Sequence, residues 1–170
     1  SVGHNVVSIG ASTSRTSGPI VGVPSAVGTS SALRFAQAWG LVGMGTGDFQ
    51  KPFGIAADGA GNVYVADTYN SRIQVFDTSG TFMKSWGQKG TGSGSMTLPY
   101  DVAVDSEGNV YVADTYNFRV QKFDVNGVFL GQWGQKGKGS SDFYFLSGIA
   151  VGPDGAVYTV DAKMNRVQVF

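Results

Sequence analysis

The sequence predicts an all-β fold made of β-propeller blades, each blade being a four-stranded antiparallel sheet. Aromatic residues recur at intervals of 47 residues, each interval holds four short strand candidates, and turn-rich connectors separate them. The sequence therefore contains about three copies of one supersecondary unit, which is typical of a repeat protein. The recurring aromatic positions are Phe35, Phe82 and Phe129; Trp39, Trp86 and Trp133; Tyr64, Tyr111 and Tyr158; and Phe76, Phe123 and Phe170.

The first two strand candidates of each unit, strands a and b, form a hairpin. In the first unit they are residues 54–58 and 63–67, joined by Gly59-Ala-Gly-Asn62. Val63 and Val65 point to one side of strand b, and Tyr64 and Ala66 point to the other. A strand that is apolar on both faces lies between two packed sheets, so each blade is expected to be covered by its neighbours.

Strands c and d form a second hairpin. In the first unit they are residues 72–77 and 81–86, and Thr78-Ser-Gly80 supplies the turn. The same turn recurs around Val125-Asn-Gly127. Glycine and small polar residues at these places favour tight turns between antiparallel strands.

The repeats divide the chain into an arm and a set of blades. Residues 1–32 form an N-terminal arm, either a flexible leader or a strand donated to an exposed sheet edge. Residues 33–39 have the spacing of a strand d without a blade of its own. Residues 40–86 are blade 1, residues 87–133 are blade 2, and residues 134–170 are strands a to c of a third blade.

The blade count predicts association. Closed propellers typically have four to eight blades, and this chain supplies three blade equivalents. Two chains would give six blades in a dimer, with each N-terminal strand exchanged to close the last blade of the partner. A larger ring or a filament, and a fragment of a longer propeller, are the alternatives.

The stretch Gly61-Asn-Val-Tyr-Val-Ala-Asp-Thr-Tyr-Asn-Ser-Arg-Ile-Gln-Val-Phe76 resembles the NHL repeat. That blade module runs from the a–b hairpin through Asp-x-x-Asn-x-Arg into strand c, and the likeness covers residues 33–170. It implies a propeller, commonly of six blades. Ser71, Phe118 and Asn165 replace the histidine of the family pattern, so no role for that histidine is carried over. In the third copy, Met164 and Leu146 replace the expected asparagine and proline.

Composition excludes several classes of function. The 170 residues carry 12 basic and 12 acidic side chains, so no global field attracts nucleic acid or an anionic membrane. Cysteine is absent, which removes disulfides and thiolate chemistry. No segment is apolar enough for a membrane span, and nothing indicates a cofactor. A charged fraction of 14% with 26 glycines favours an extracellular location.

Two recurring sets of residues are predicted to be structural. An aspartate ends each strand b and an arginine follows five residues later, so the pairs are expected to cap the b–c turn and to bridge blades rather than to hold a metal ion. A tryptophan ends each strand d and is expected to pack the outer part of a blade rather than to form a ligand cage. The first set is Asp67 and Arg72, Asp114 and Arg119, and Asp161 and Arg166; the second is Trp39, Trp86 and Trp133.

The best candidate for a binding face is formed by the b–c turns and the d–a loops, which meet at one end of a propeller. Large aromatic residues in turns gain free energy when they are covered, by a ligand or by the neighbouring loop. Both alternatives remain open from sequence. The predicted face comprises Tyr69, Tyr116, Phe118, Lys89, Lys136 and Lys138.

Catalysis is not expected. His4 is the only histidine and lies in the arm, so the blades supply neither a histidine base nor a histidine metal ligand. The leading hypothesis is a non-enzymatic module for protein–protein interaction and self-assembly. The alternative is a propeller that binds glycan or single-stranded RNA through the aromatic and lysine face. A lyase or hydrolase working in the central channel is the third hypothesis.

Overall fold

The computed structural model describes residues 34–170, and the predicted arm over residues 1–32 lies outside the described residues. In this part of the chain, strands form two four-stranded sheets and one three-stranded sheet. Within each sheet, every strand pairs antiparallel with the strand next to it in sequence. The predicted all-β fold of antiparallel blades is confirmed.

Each sheet is one blade, with its strands in sequence order from a to d. Blade 1 consists of β1 (Ile55–Ala57), β2 (Val63–Asp67), β3 (Arg72–Phe76) and β4 (Phe82–Trp86). Blade 2 consists of β5 (Pro99–Val104), β6 (Val110–Asp114), β7 (Arg119–Phe123) and β8 (Phe129–Trp133). Blade 3 consists of β9 (Leu146–Val151), β10 (Val157–Asp161) and β11 (Arg166–Val169).

Aspartate side chains fix the a–b and c–d turns. The Asp58 carboxylate accepts the backbone N–H groups of Ala60 and Asn62, each at 2.9 Å. Asp77 accepts the N–H groups of Ser79 and Thr81 in the same way. These aspartate turns satisfy backbone groups within each hairpin, so they help to fix the hairpin register locally.

A short 3₁₀ turn joins strands b and c in the first two blades, at Thr68–Asn70 and Thr115–Asn117. The Thr68 hydroxyl donates a 2.7 Å hydrogen bond to the Pro99 carbonyl of blade 2. Thr115 donates to the Leu146 carbonyl of blade 3 at the same distance. The b–c turn therefore ties each blade to the next.

The core lies between the blades. We call the side of a blade that packs on the following blade its forward face, and the opposite side its rear face. Tyr64 and Ala66 on the forward face of blade 1 pack with Val110 and Val112 on the rear face of blade 2. The forward face of blade 2 packs on blade 3 through Tyr111 and Ala113 in the same manner.

Candidate protein–protein interface

The forward face of blade 3 is bare among the described residues, although its sequence is apolar. Tyr158 is 39% exposed, whereas Tyr64 at the same position of blade 1 is 1% exposed. Val167 is 63% exposed, whereas Ile73 and Val120 at its position are fully buried. The forward face of blade 3 is formed by Tyr158, Val160, Val167 and Val169.

The rear face of blade 1, at the other end of the blades, is also partly exposed. Ile55 is 65% exposed, whereas Val102 at the same position of blade 2 is 2% exposed. Beside Ile55 lies an apolar cleft whose lining includes Trp39, Phe49 and Phe53. The described residues therefore present a bare forward face at one end of the blade stack and a partly bare rear face at the other.

Residues 34–39 occupy the place of a strand d that would precede blade 1. Trp39 lies against Phe76 with ring centroids 5.9 Å apart and planes at 50°, and Trp86 lies against Phe123 at 5.9 Å and 52°. Gly80 sits beneath the Trp39 ring as Gly127 sits beneath Trp86, so a Cβ at either glycine would meet the indole. This segment is therefore held in blade position by blade 1.

The predicted aspartate and arginine pairs form within blades rather than between them. Arg72 Nε lies 2.8 Å from Asp67 Oδ2, and Arg119 Nε lies 2.8 Å from Asp114 Oδ2. The physical reason is register, because Asp67 faces Arg72 directly across β2 and β3. Both aspartates are fully buried and accept further hydrogen bonds, for example from the Gln50 N–H to Asp67. The role of these residues is to join the d–a loop to strands b and c.

Asp161 and Arg166 depart from this pattern. The Asp161 carboxylate accepts four backbone N–H groups, at 2.7 to 3.2 Å. Arg166 donates to the carbonyls of Gly139 and Asp142, and its buried Nε has no hydrogen-bond partner within residues 34–170. Met164 stands where Asn70 donates to Asp67 in blade 1. Without that amide, the carboxylate turns to the backbone and the predicted third pair is not formed.

The tryptophans pack between blades as well as within them. Trp86 makes an edge contact with Tyr64 of its own blade and lies against Phe123 of the following blade. Trp133 repeats this arrangement with Tyr111 and Phe170. Each ring therefore helps to fix one blade against the next, which adds a role to the predicted outer packing of single blades.

The predicted binding face is only partly assembled. Tyr69 and Tyr116 are each about half exposed, and Lys51 Nζ lies 4.8 Å from the Tyr69 ring centroid. Lys136 lies over Phe118 at 5.2 Å, so this pair partly covers itself. Lys89 and Lys138 are exposed on the d–a loops.

An aromatic cluster next to this face was missed by the sequence prediction. It consists of Phe53, Tyr100, Tyr116 and Phe145. Phe53 and Tyr100 are stacked at 4.8 Å, and Tyr100 lies 5.2 Å from Phe145 and 6.3 Å from Tyr116. The signal was the aromatic residue that follows Pro52 and Pro99 in two repeats. Phe145 stands where the other repeats have Lys51 and Leu98, so no recurring aromatic residue points to it.

Tyr100 titrates differently from an exposed tyrosine. Burial and the nearby Tyr116 and Tyr69 side chains raise the pKa of Tyr100. The phenol therefore stays protonated at neutral pH. The cluster is an uncharged aromatic surface, half open to solvent at Phe53 and Tyr116.

The described residues contain no group of three or more His, Cys, Asp or Glu side chains placed to hold a metal ion. A helix with the length and apolarity needed to cross a membrane is likewise not found between residues 34 and 170.

The sequence pattern of the family described as NHL repeat matches residues 49–76, 97–123 and 143–170. The chain is 50% identical over 44 residues to B-box type zinc finger protein ncl-1 of Caenorhabditis elegans. It is 44% identical over 45 residues to Protein lin-41 of the same organism. Each match covers 26% of this chain, and the matches span only 5% and 4% of the two relatives.

A solved structure of streptogramin B lyase superposes on this chain with a TM-score of 0.52 at 17% identity. The match covers 70% of this chain and 39% of the lyase chain. A putative exported protein from Bacteroides fragilis gives a TM-score of 0.54 at 22% identity, covering 71% of this chain and 34% of that one. At these identities the likeness shows a shared propeller-like fold.

Proposed function

Because the chain belongs to the NHL-repeat family and carries three of its repeats, we propose that it is a non-enzymatic module for protein–protein interaction and self-assembly. Its partner is a second copy of the same blades. The observation that carries this proposal is the bare forward face of blade 3, whose counterparts in blades 1 and 2 are buried. Another blade of the same kind is the partner whose shape and chemistry fit that face.

The two internal interfaces are the template for the proposed one. Blade 2 covers blade 1 with Val102, Val110 and Val112, and the equivalent residues on the rear face of blade 1 are Ile55, Val63 and Val65. Of these three, Ile55 is exposed, whereas Val65 is already buried within one chain. A second copy would therefore place the rear face of its blade 1 on the forward face of blade 3. Two copies joined twice in this way form a six-bladed ring, which leaves no sheet face uncovered.

Catalysis is outside this proposal because the blades lack the required side chains. Residues 34–170 contain no histidine and no cysteine. General acid–base or metal-assisted hydrolysis in the channel would then depend on carboxylates alone. The likeness to the lyase fold does not carry its chemistry, since folds host unrelated activities.

Sedimentation velocity over a range of concentrations tests the proposal. We expect a species of about twice the 17.8 kDa chain mass. Val167→Asp should raise the dissociation constant by at least about 100-fold, because a buried unpaired carboxylate costs several kcal/mol. Val128→Asp is the matched control, since Val128 is 57% exposed on the c–d turn of blade 2. A monomer that stays monomeric at high concentration would refute self-assembly.

The aromatic cluster supports a second candidate function, the binding of a neutral ligand such as a glycan. Aromatic rings bind sugar faces through apolar contact, and the uncharged cluster is half exposed at Phe53 and Tyr116. Single-stranded RNA would also stack on these rings, but its phosphates need a basic surface. Asp48 and Asp142 lie on the same loops as the lysines and dilute their charge.

Calorimetric titration with a neutral hexasaccharide and with a ten-nucleotide uridine RNA separates these ligands. Glycan binding should persist at high salt and be lost in Tyr116→Ala. Binding of the RNA that weakens steeply with salt would instead favour nucleic acid. Tyr144→Ala, a similarly exposed tyrosine on a d–a loop outside the cluster, is the control.

A further inference from the structure

We propose that residues 35–39 are a strand held ready for a second copy of the chain, and that they pair with β11 of that copy in one defined antiparallel register. This inference rests on the proposed self-assembly and names the segment that completes the interface. Trp39 of one copy would face Val167 of the other, Ala38 would face Gln168, Gln37 would face Val169, and Phe35 would face Phe170.

The register follows from the two complete blades. In blade 1, Ile73, Gln74, Val75 and Phe76 pair with Trp86, Ser85, Lys84 and Phe82. In blade 2, Val120, Gln121, Lys122 and Phe123 pair with Trp133, Gln132, Gly131 and Phe129. Shifting either set of pairs by multiples of 47 residues gives the proposed pairs between β11 and residues 35–39.

Residues 35–39 are already placed as this strand requires. Trp39 sits on Phe76 in the geometry that Trp86 has on Phe123. Gln37 donates a 3.2 Å hydrogen bond to the Thr78 carbonyl, as Lys84 donates to the Val125 carbonyl one blade later. Blade 1 therefore positions the strand, while the described residues supply no strand c beside it.

β11 supplies the missing edge. Among the described residues, β11 pairs only with β10, so its outer backbone groups have no strand partner. Strands β3 and β7, in the same position, each carry a fourth strand. An unpaired strand edge is a template for one more strand, and the repeat specifies which strand fits.

Trp39 and Tyr158 each lack, among the described residues, the Trp–Tyr contact that blades 1 and 2 make, because no strand d lies beside β11. Trp86 meets Tyr64 at 6.4 Å, and Trp133 meets Tyr111 at 6.2 Å, each within one blade. Tyr158 occupies the same position in blade 3, where it is 39% exposed. Pairing in the proposed register brings Trp39 of the second copy onto Tyr158, so one contact satisfies both rings.

Cysteine crosslinking tests the register directly, because the 170-residue sequence contains no cysteine. A chain with Gln37→Cys and a chain with Val169→Cys are purified separately, mixed, allowed to re-equilibrate and oxidised. The mixture should give a disulfide-linked dimer on a non-reducing gel, and each chain alone should give at least about 5-fold less. Neither substitution removes a buried core side chain.

Gln37→Cys with Val167→Cys is the off-register control. Position 167 lies on the same face of β11 but two residues away, so its Cα would be about 7 to 8 Å from position 37. Disulfides form poorly at such distances. Equal or stronger crosslinking of this pair, or no crosslinking of the 37 and 169 pair, would overturn the proposed register.

A chain carrying both Gln37→Cys and Val169→Cys reports on closure. A two-fold ring predicts a doubly linked dimer, whereas a ladder of larger species or an internally linked monomer would overturn the ring. Sedimentation of the unsubstituted chain distinguishes failure of the proposed register from failure of the proposed self-assembly. A dimer without the 37–169 crosslink refutes the register and leaves self-assembly intact, and a monomer refutes both.

Discussion

At the scale of single residues, buried aspartates hold each blade to the loop that precedes it. Asp114 accepts hydrogen bonds from the Thr97 N–H, the Asn117 amide, Arg119 Nε and the Gln121 amide. All four donors lie within 2.9 Å of the carboxylate. A buried carboxylate is tolerated because its oxygen atoms are satisfied in this way.

This network predicts unequal costs for the same substitution in two blades. Asp114→Asn removes the charge opposite Arg119 and turns an amide toward other donors, so it should lower the free energy of unfolding by about 3 kcal/mol. Asp161→Asn also turns an amide toward a backbone donor, but among the described residues it leaves no arginine unpaired, so it should cost less, about 1.5 kcal/mol. Chemical denaturation measures both, and equal costs would contradict this account.

A second prediction at this scale concerns pH. Burial raises the pKa of Asp101, although the N–H groups of Ile149 and Val102 donate to its carboxylate. Its folded pKa then exceeds the unfolded value of about 3.9, so its contribution to stability is present at low pH and is lost as pH rises through the folded pKa. Asp101→Asn should therefore gain stability relative to the natural chain as pH rises from about 4.

The Asp77 carboxyl group should change stability with pH in the opposite direction to Asp101. Hydrogen bonds from the Ser79 hydroxyl and the Thr81 N–H lower the pKa of Asp77. Its contribution is present above the unfolded pKa and is lost as pH falls through the folded pKa. Asp77→Asn should lose stability relative to the natural chain as pH rises through that window. Denaturation between pH 3 and 7 checks both trends, and parallel trends would refute them.

At the scale of strands, the close approach of blades 1 and 2 depends on a glycine. A Cβ at Gly54 would overlap the backbone and side chain of Asp101, whereas a Cβ at Gly59 would meet nothing within 4 Å. Gly54→Ala should lower the free energy of unfolding by about 2 kcal/mol, because the inner strands must separate. Gly59→Ala should change it by less than about 0.5 kcal/mol. Thermal and urea unfolding compare the two variants.

The strands could be predicted from sequence because the 47-residue repeat and the two-residue alternation along each strand indicate the same elements. The 47-residue repeat fixed the number of units, and alternation within Val63–Asp67 identified an inner strand covered on both sides. Whether the aspartate and arginine pairs form within a blade or between blades could not be predicted, because the register of strands b and c decides it. The loss of the third pair depends on where the Asp161 carboxylate turns once Met164 removes an amide donor.

At the scale of the whole molecule, the blades form an open stack with unlike ends. Among residues 34–170, one end carries the forward face of blade 3 and the edge of β11 that pairs with no strand, and the other carries Ile55 and residues 35–39. The sequence predicted a separate strand d over residues 33–39, and residues 34–39 lie in that place against blade 1. The need for a second copy stays a prediction. The aromatic cluster was not predictable as a unit, because Tyr100 and Phe145 approach one another only through packing of blades 2 and 3.

Self-assembly into a six-bladed ring is tested most directly by electron microscopy of the purified chain. The account predicts a disc of six blades around a central channel, with two-fold symmetry and a mass of about twice 17.8 kDa. A lone three-bladed particle, or a closed ring made by a single chain, would contradict it.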